Sequence, residues 1–251
     1  MSKQRKRLRL TLSVSAAVLV LTFAFLMAKK PPQAPFWQWI RGQYQVQSLP
    51  DGINRLLNTP VDQGSRISLE VSADNVRALL RQAEFPTKLY WSFALTRGDG
   101  TLSRTQTVRL WISGNRFRLE QFGEDGSLIR LATDDGTKFV STYVHGENRF
   151  EAPSSQSFDA VAEAGAVSLT YFLSAYEPLI QNASLVKTAS DTTIELTFED
   201  RQLQQTETYA VSLTKGIVPE ASVISRGKTV YQLTTLEAVT DFQENEEMFN
   251  Q

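Results

Sequence analysis

The chain has 251 residues, 41% of them hydrophobic, with no cysteine, one histidine and a formal net charge of −1. Without cysteine there are no disulfide staples, no thiolate catalysis and no cysteine-built zinc site, and one histidine leaves too little for the usual His-rich zinc centre. Seven of the 26 Lys and Arg lie in the first thirty residues with none of the 27 Asp and Glu, so residues 31–251 are acidic and poorly suited to nucleic acid or to a broad anionic lipid surface.

Those first residues are arranged as a topology signal. Lys3, Arg5, Lys6, Arg7 and Arg9 precede an uncharged run from Leu10 to Ala28, and Lys29 and Lys30 close it. Nineteen residues at about 1.5 Å each give roughly 28 Å of helix, close to the hydrocarbon thickness of a bilayer. The excess of cations before the run predicts a cytoplasmic basic tail (1–9), a transmembrane helix (10–28) and an extracytoplasmic remainder. A cleaved signal peptide would have a shorter apolar core and small residues at its end, whereas this run ends in Leu26-Met27-Ala28-Lys29-Lys30. The expectation is a retained, single-pass signal anchor.

Residues 29–66 read as a juxtamembrane spacer. Pro31, Pro32 and Pro35 stiffen its start. Phe36, Trp37, Trp39, Ile40 and Tyr44 follow, suited either to the headgroup level or to packing on the domain. A short helical stretch around Ile53–Leu57 ends before Pro60. The main domain, 67–251, opens with an N-cap at Ser72 and a helix whose apolar face is Val76, Leu79, Leu80 and Ala83, stopped by Pro86.

From Lys88 the period becomes two. Leu89, Trp91, Phe93 and Leu95 share one face, then Val108, Leu110 and Ile112, then Phe117 and Leu119 alternating with Arg116, Arg118 and Glu120. Gly98-Asp99-Gly100, Ser113-Gly114-Asn115, Glu124-Asp125-Gly126, Asp134-Asp135-Gly136 and His145-Gly146-Glu147-Asn148 are turn signals, so this region predicts a meander of hairpins. Between Ser157 and Asn182 apolar residues recur at helical spacing, with Gly165 dividing the stretch. Strand patterns return at Thr192–Phe198, Glu207–Leu213, Val218–Ser225 and Lys228–Val239. The expected fold is α+β: a long curved antiparallel β-sheet with an early helix and a central helical insertion covering its apolar face.

Catalytic motifs are absent. No G-x-S-x-G, P-loop or G-x-G-x-x-G spacing occurs. His145 sits in a polar turn, where a solvated residue is expected in place of an oriented base. Asp134 and Asp135 read as hairpin-turn residues, and Glu244, Glu246 and Glu247 as a solvated end. Neither set forms a spaced acid pair of the kind glycoside hydrolysis requires. Asn182-Ala183-Ser184 matches the glycosylation sequon, a short pattern of little weight. The chain is expected not to be an enzyme and to need no cofactor or metal.

One stretch carries a resemblance. Leu110-Trp111-Ile112-Ser113-Gly114-Asn115-Arg116-Phe117-Arg118-Leu119-Glu120, followed by Asp135-Gly136-Thr137-Lys138-Phe139, resembles the LolA/LolB-like lipoprotein carriers, and the order of elements from Ser68 to Phe249 is similar to theirs. The resemblance implies a half-barrel sheet with helices over its concave face and an apolar cavity for acyl chains. Leu89, Trp91, Phe93, Phe117, Leu119, Phe139 and Tyr143 would line that cavity, and Tyr171, Phe172, Leu173 and Tyr176 would form its lid. Two departures stand out. Ser113-Gly114-Asn115 replaces the carriers' Arg-Pro pair, so their arginine latch is not matched there, and a tethered chain does not suit shuttling between membranes. A tethered domain that holds or senses a lipid or lipidated ligand is the resulting expectation. The other is a regulatory module with a filled core that contacts an envelope protein. The first reading predicts a cavity and the second an ordinary packed core.

Overall fold

The computed structural model describes residues 49–98, 102–144, 148–154 and 159–249. The expected anchor helix, the proline spacer, the aromatic cluster at 36–44 and the His145 turn lie outside these residues. No helix among the described residues is long and apolar enough to cross a membrane. The compact unit begins at Leu49.

Its elements in chain order are α1 (Asp51–Asn58), β1 (Ile67–Ser72), α2 (Ala73–Leu80), β2 (Lys88–Arg97), β3 (Arg104–Ser113), β4 (Arg116–Phe122), β5 (Leu128–Asp134), β6 (Lys138–Tyr143), β7 (Asn148–Pro153), α3 (Ala160–Glu163), α4 (Leu169–Tyr176), a 3-10 turn (Glu177–Leu179), β8 (Asn182–Lys187), β9 (Thr192–Asp200), β10 (Gln205–Ser212), β11 (Glu220–Ser225), β12 (Lys228–Thr240) and a 3-10 turn at Glu246–Phe249. The strands form one open, curved sheet in the order β1-β8-β9-β10-β11-β12-β2-β3-β4-β5-β6-β7, antiparallel throughout.

Two meanders build it. β2 to β7 run outward from the centre in sequence order, β8 to β12 run inward from beside the far edge, and the long β12 joins the halves by pairing with β2. β1 closes the far end on β8, with Ile67 opposite Lys187. That strand and β8 go beyond the sequence expectation. Both are short, and the helical spacing of the insertion runs on to Asn182, where β8 begins.

The alternation in β2 is followed in space. Leu89, Trp91, Phe93 and Leu95 are all buried. Their cross-strand neighbours continue the same face: Trp91 opposes Leu110, Leu110 opposes Leu119, and Leu119 opposes Ala132. In the other direction Leu95 opposes Leu233, which leads through Ala221 and Tyr209 to Leu196. Buried residues of α1 (Ile53, Leu56), α2 (Val76, Leu79, Leu80), α3 (Val161) and α4 (Leu169, Phe172) belong to the same hydrophobic cluster. Non-directional burial of one sheet face therefore supplies the main driving force.

A bulge in β12 between Thr235 and Glu237 changes the phase. Leu233 is buried before it, Ala238 packs on the core after it, and Leu236 is left 60% exposed. One inserted residue exchanges the two faces of a strand.

The opposite face carries a smaller cluster. Thr133, Val140 and Phe249 are buried there or beside it, outside the main cluster. The C-terminal segment packs on β4, with the Arg116 guanidinium 4.9 Å from the centre of the Phe249 ring and Arg118 donating to the Met248 carbonyl. Glu244 accepts from the Ser113 hydroxyl and pairs with Arg116 at 2.7 Å and Lys88 at 3.1 Å. The expected solvated end is thus, at Glu244, a clamped one.

Candidate functional site

The candidate site is the apolar sheet face together with the helical insertion, residues 159–180, that lies against it. Trp91 is wholly buried on the sheet and held by a polar contact as well as by packing. Its indole N–H donates to Thr235 Oγ1 at 2.9 Å, and that hydroxyl donates to the Pro219 carbonyl at 2.7 Å. Its ring centre is 4.7 Å from that of Phe93. Phe117 and Phe139 follow along the sheet with tilted rings 5.9 Å apart, and Phe139 meets Phe150 at 6.1 Å.

Of the seven proposed cavity residues, Leu89, Trp91, Phe93, Phe117, Leu119 and Phe139 are buried, while Tyr143 is 47% exposed. The first six belong to one buried hydrophobic cluster, and Tyr143 carries the Arg130 guanidinium over its ring at 5.5 Å.

Asp159 starts α3 by accepting from the Val161 and Ala162 amides, and Ser168 starts α4 by accepting from the Tyr171 amide. Such caps satisfy amides that a short helix cannot satisfy itself. Gly165 joins the helices at φ +81°, and a Cβ there would lie 2.1 Å from the Arg97 guanidinium. Glycine therefore suits the conformation, and a Cβ would push the Arg97 guanidinium aside.

Phe172 points into the core and is wholly buried, its ring centre 5.2 Å from Tyr209, 5.3 Å from Tyr176 and 6.5 Å from Phe198. Leu173 and Tyr176 are half-buried, and Tyr171 is exposed. The four suggested lid residues thus divide into a plug (Phe172), a shoulder (Leu173, Tyr176) and an outward-facing residue (Tyr171). A helix turns about 100° per residue, so consecutive residues cannot all face one surface.

Polar fastenings hold the insertion. From β5, Arg130 donates to the Glu163 carbonyl at 3.2 Å and carboxylate at 2.8 Å, and to Ser141 Oγ at 2.9 Å. From β2, Arg97 donates to the Gly165 carbonyl at 2.7 Å, and Tyr231 donates to the same oxygen at 3.2 Å. From α2, Arg77 donates to the carbonyls of Glu177 and Ile180, and Arg81 pairs with Glu177. Tyr176 and Tyr209 both donate to Glu207 Oε2 at 2.6 Å. Burial, reinforced by Glu207, pushes the Tyr176 phenol up to about 12 and raises that of Tyr209 further. Burial also lifts Tyr231 to about 12, opposed by the Arg97 charge.

Sequence reasoning missed these arginines, although a signal existed. Arg97 follows Leu95 in the apolar phase of β2, and Arg130 occupies the core-facing phase of β5 beside Tyr143. A cation in the apolar phase of a strand demands a partner, because an unpaired buried charge is costly.

A depression of about 330 Å³ lies over β9–β12, its outward-facing lining including Glu195, Thr197, Thr208 and Gln232, which alternate with the buried core residues. None of the seven expected cavity residues lines it. Asp134 accepts from the Gly136 amide and Ser154 hydroxyl, and Asp135 from Thr137 and Lys138. The Thr137 hydroxyl in particular holds the Asp135 carboxyl below its usual range. Both carboxylates are engaged in shaping a turn. Among the described residues no cluster of His, Asp or Glu is arranged to hold a metal ion.

No family model matches the chain, and no curated protein matches it. A solved structure, of an uncharacterized conserved protein from Thermus thermophilus, superposes with a TM-score of 0.43 at 8% identity, covering 70% of this chain and 93% of that one.

Proposed function

We propose that the chain is a membrane-anchored, extracytoplasmic and non-enzymatic binding protein of the LolA/LolB-like kind, whose half-barrel sheet holds or senses an acyl chain or lipidated ligand beneath its helical insertion. The observation that carries this reading is the construction of the cover. A short segment buries Phe172, with the smaller Val161, Leu169 and Ile180, in the apolar cluster, and is otherwise fastened by hydrogen bonds from Arg77, Arg97 and Arg130 to backbone carbonyls. Hydrogen bonds to carbonyls contribute about 0.5–3 kcal/mol each and are readily replaced by water, so such a cover can lift while the sheet stays intact. Lifting it would bare Trp91, Phe93 and Leu119, and an acyl chain would take the place of the Phe172 ring. The anchor would hold the domain at the outer surface of the membrane that supplies the ligand.

The test is photolabelling of the full chain in nanodiscs with a diazirine fatty acid. Labelled peptides from β2, β4 and α4 are expected. Labelling confined to residues 10–28 would refute the reading. One observation favours a second reading: Leu89, Trp91, Phe93 and Leu119 have no exposed surface, so the core is filled by the chain's own side chains. A regulatory module that contacts another envelope protein through its surface would show this core and would take no label in the sheet.

A further inference from the structure

We propose that β7 is a self-complementary edge through which two copies of this chain pair into a closed, two-fold dimer. β7 ends the sheet, pairs with β6 on one side and has no strand partner on the other among the described residues. Ser154 donates its amide to the Thr137 carbonyl, in register with the β6–β7 ladder. In an antiparallel pair the bonding direction alternates, so even-numbered residues of β7 face β6. Arg149 and Glu151 then direct their N–H and C=O groups to the free edge. Unpaired edges of this kind are templates for another strand unless blocked.

Charge selects the partner and the register. An antiparallel copy centred on Phe150 sets Arg149 opposite Glu151 of its partner, and Glu151 opposite the partner's Arg149. Both outward-facing pairs can then exchange backbone hydrogen bonds. Moving the register by two residues sets Arg149 against Arg149, or Glu151 against Glu151 with Pro153 removing a donor, and like charges directly opposite are unfavourable. The intrachain pairs that Glu151 makes with Arg149 and Lys138 leave both members of the Arg149 pair at least 40% exposed, with donor and acceptor capacity to spare.

The apolar side agrees. Phe150 is 58% exposed and Tyr143 47%, on the core-facing side of the sheet. In the paired edge the two Phe150 rings become direct neighbours across the two-fold axis. Because each chain uses the same patch, the interface closes at two copies, and Pro153 limits how far the ladder extends. This proposal does not depend on the lipid-binding reading.

The natural chain has no cysteine, which permits a clean test in the full chain in detergent micelles. Phe150 and its counterpart would form a non-hydrogen-bonded pair with Cα atoms about 4.5 Å apart, within disulfide range. Under mild oxidation, Phe150→Cys should cross-link at least about tenfold faster than Leu203→Cys, since a paired edge holds its thiols at high effective concentration. Leu203 is as exposed as Phe150, at 58%, but lies elsewhere. Adding Arg149→Glu to Phe150→Cys should abolish the excess, and adding Glu151→Arg as well should restore it. Equal rates for Phe150→Cys and Leu203→Cys would overturn the proposal, as would failure of the double charge exchange to restore cross-linking.

Discussion

Phe172→Ala tests whether the insertion is a cover or an integral part of the core. The ring is wholly buried and packs on Tyr176, Tyr209 and Phe198. Removing such a ring from a cooperative core costs about 3–5 kcal/mol, through lost transfer energy and the cavity left behind. For a domain of this size that corresponds to a fall in Tm of about 6–20 °C, at about 2–4 °C per kcal/mol. If residues 159–180 open as a unit, the loss measured against global unfolding is capped at the free energy of opening, because a more destabilised insertion simply detaches. We expect a global loss below about 2 kcal/mol for Phe172→Ala, with amides of Leu169–Tyr176 exchanging well before those of β2–β4. Leu119→Ala is the reference, since Leu119 is equally buried between Leu110 and Ala132 in the middle of the sheet. It should show the full cost of about 2–5 kcal/mol. Denaturant titration with native-state hydrogen exchange reads both quantities. A full-sized global loss for Phe172→Ala, with α4 exchanging only on global unfolding, would refute the idea of an opening cover. It would leave the filled-core interaction module standing.

The remaining predictions concern groups whose ionisation the fold controls. Glu244 is held below its ordinary value of 4.5, first by the Ser113 hydroxyl and then by Lys88. A depressed carboxyl stabilises above the unfolded pKa and stops doing so as pH falls through the folded value. Exchange at the Met248 amide should therefore accelerate as pH drops below about 4.5, after correction for intrinsic rates, and Glu244→Gln should flatten that dependence. The tyrosines act at the other end of the scale. Tyr176 and Tyr231 are raised from 10.0 to about 12, so the unfolded chain loses phenolic protons that the folded chain keeps. Stability should fall as pH rises between these values, and absorbance at 295 nm should show these phenols ionising above the ordinary phenol value of 10.0. Tyr176→Phe should make the alkaline loss shallower.

Local chemistry determined much of this protein in the sequence alone. A period of two in β2 places Leu89, Trp91, Phe93 and Leu95 on one face whatever their partners are, because successive side chains in a strand alternate. The turn residues at Ser113-Gly114-Asn115 and Asp134-Asp135-Gly136 mark chain reversals for equally local reasons, with Gly114 and Gly136 at positive φ. The helical spacing around Gly165 likewise locates the insertion between the two meanders.

Tertiary structure decided what no single segment could express. β1 and β8 are short and weakly patterned, and they become strands by pairing across more than a hundred residues of chain. The bulge at Thr235–Glu237 changes which face of β12 is buried, and a slip of one residue leaves composition untouched. Phe172 and Tyr171 are adjacent aromatics, yet the direction of α4 over the sheet buries one and exposes the other. Glu244 belongs to a polar stretch and acquires its role only because β2, β3 and β4 bring Lys88, Ser113 and Arg116 within reach. In each case the deciding energy comes from contacts between residues distant in sequence, while periodicity and turn chemistry record only neighbours.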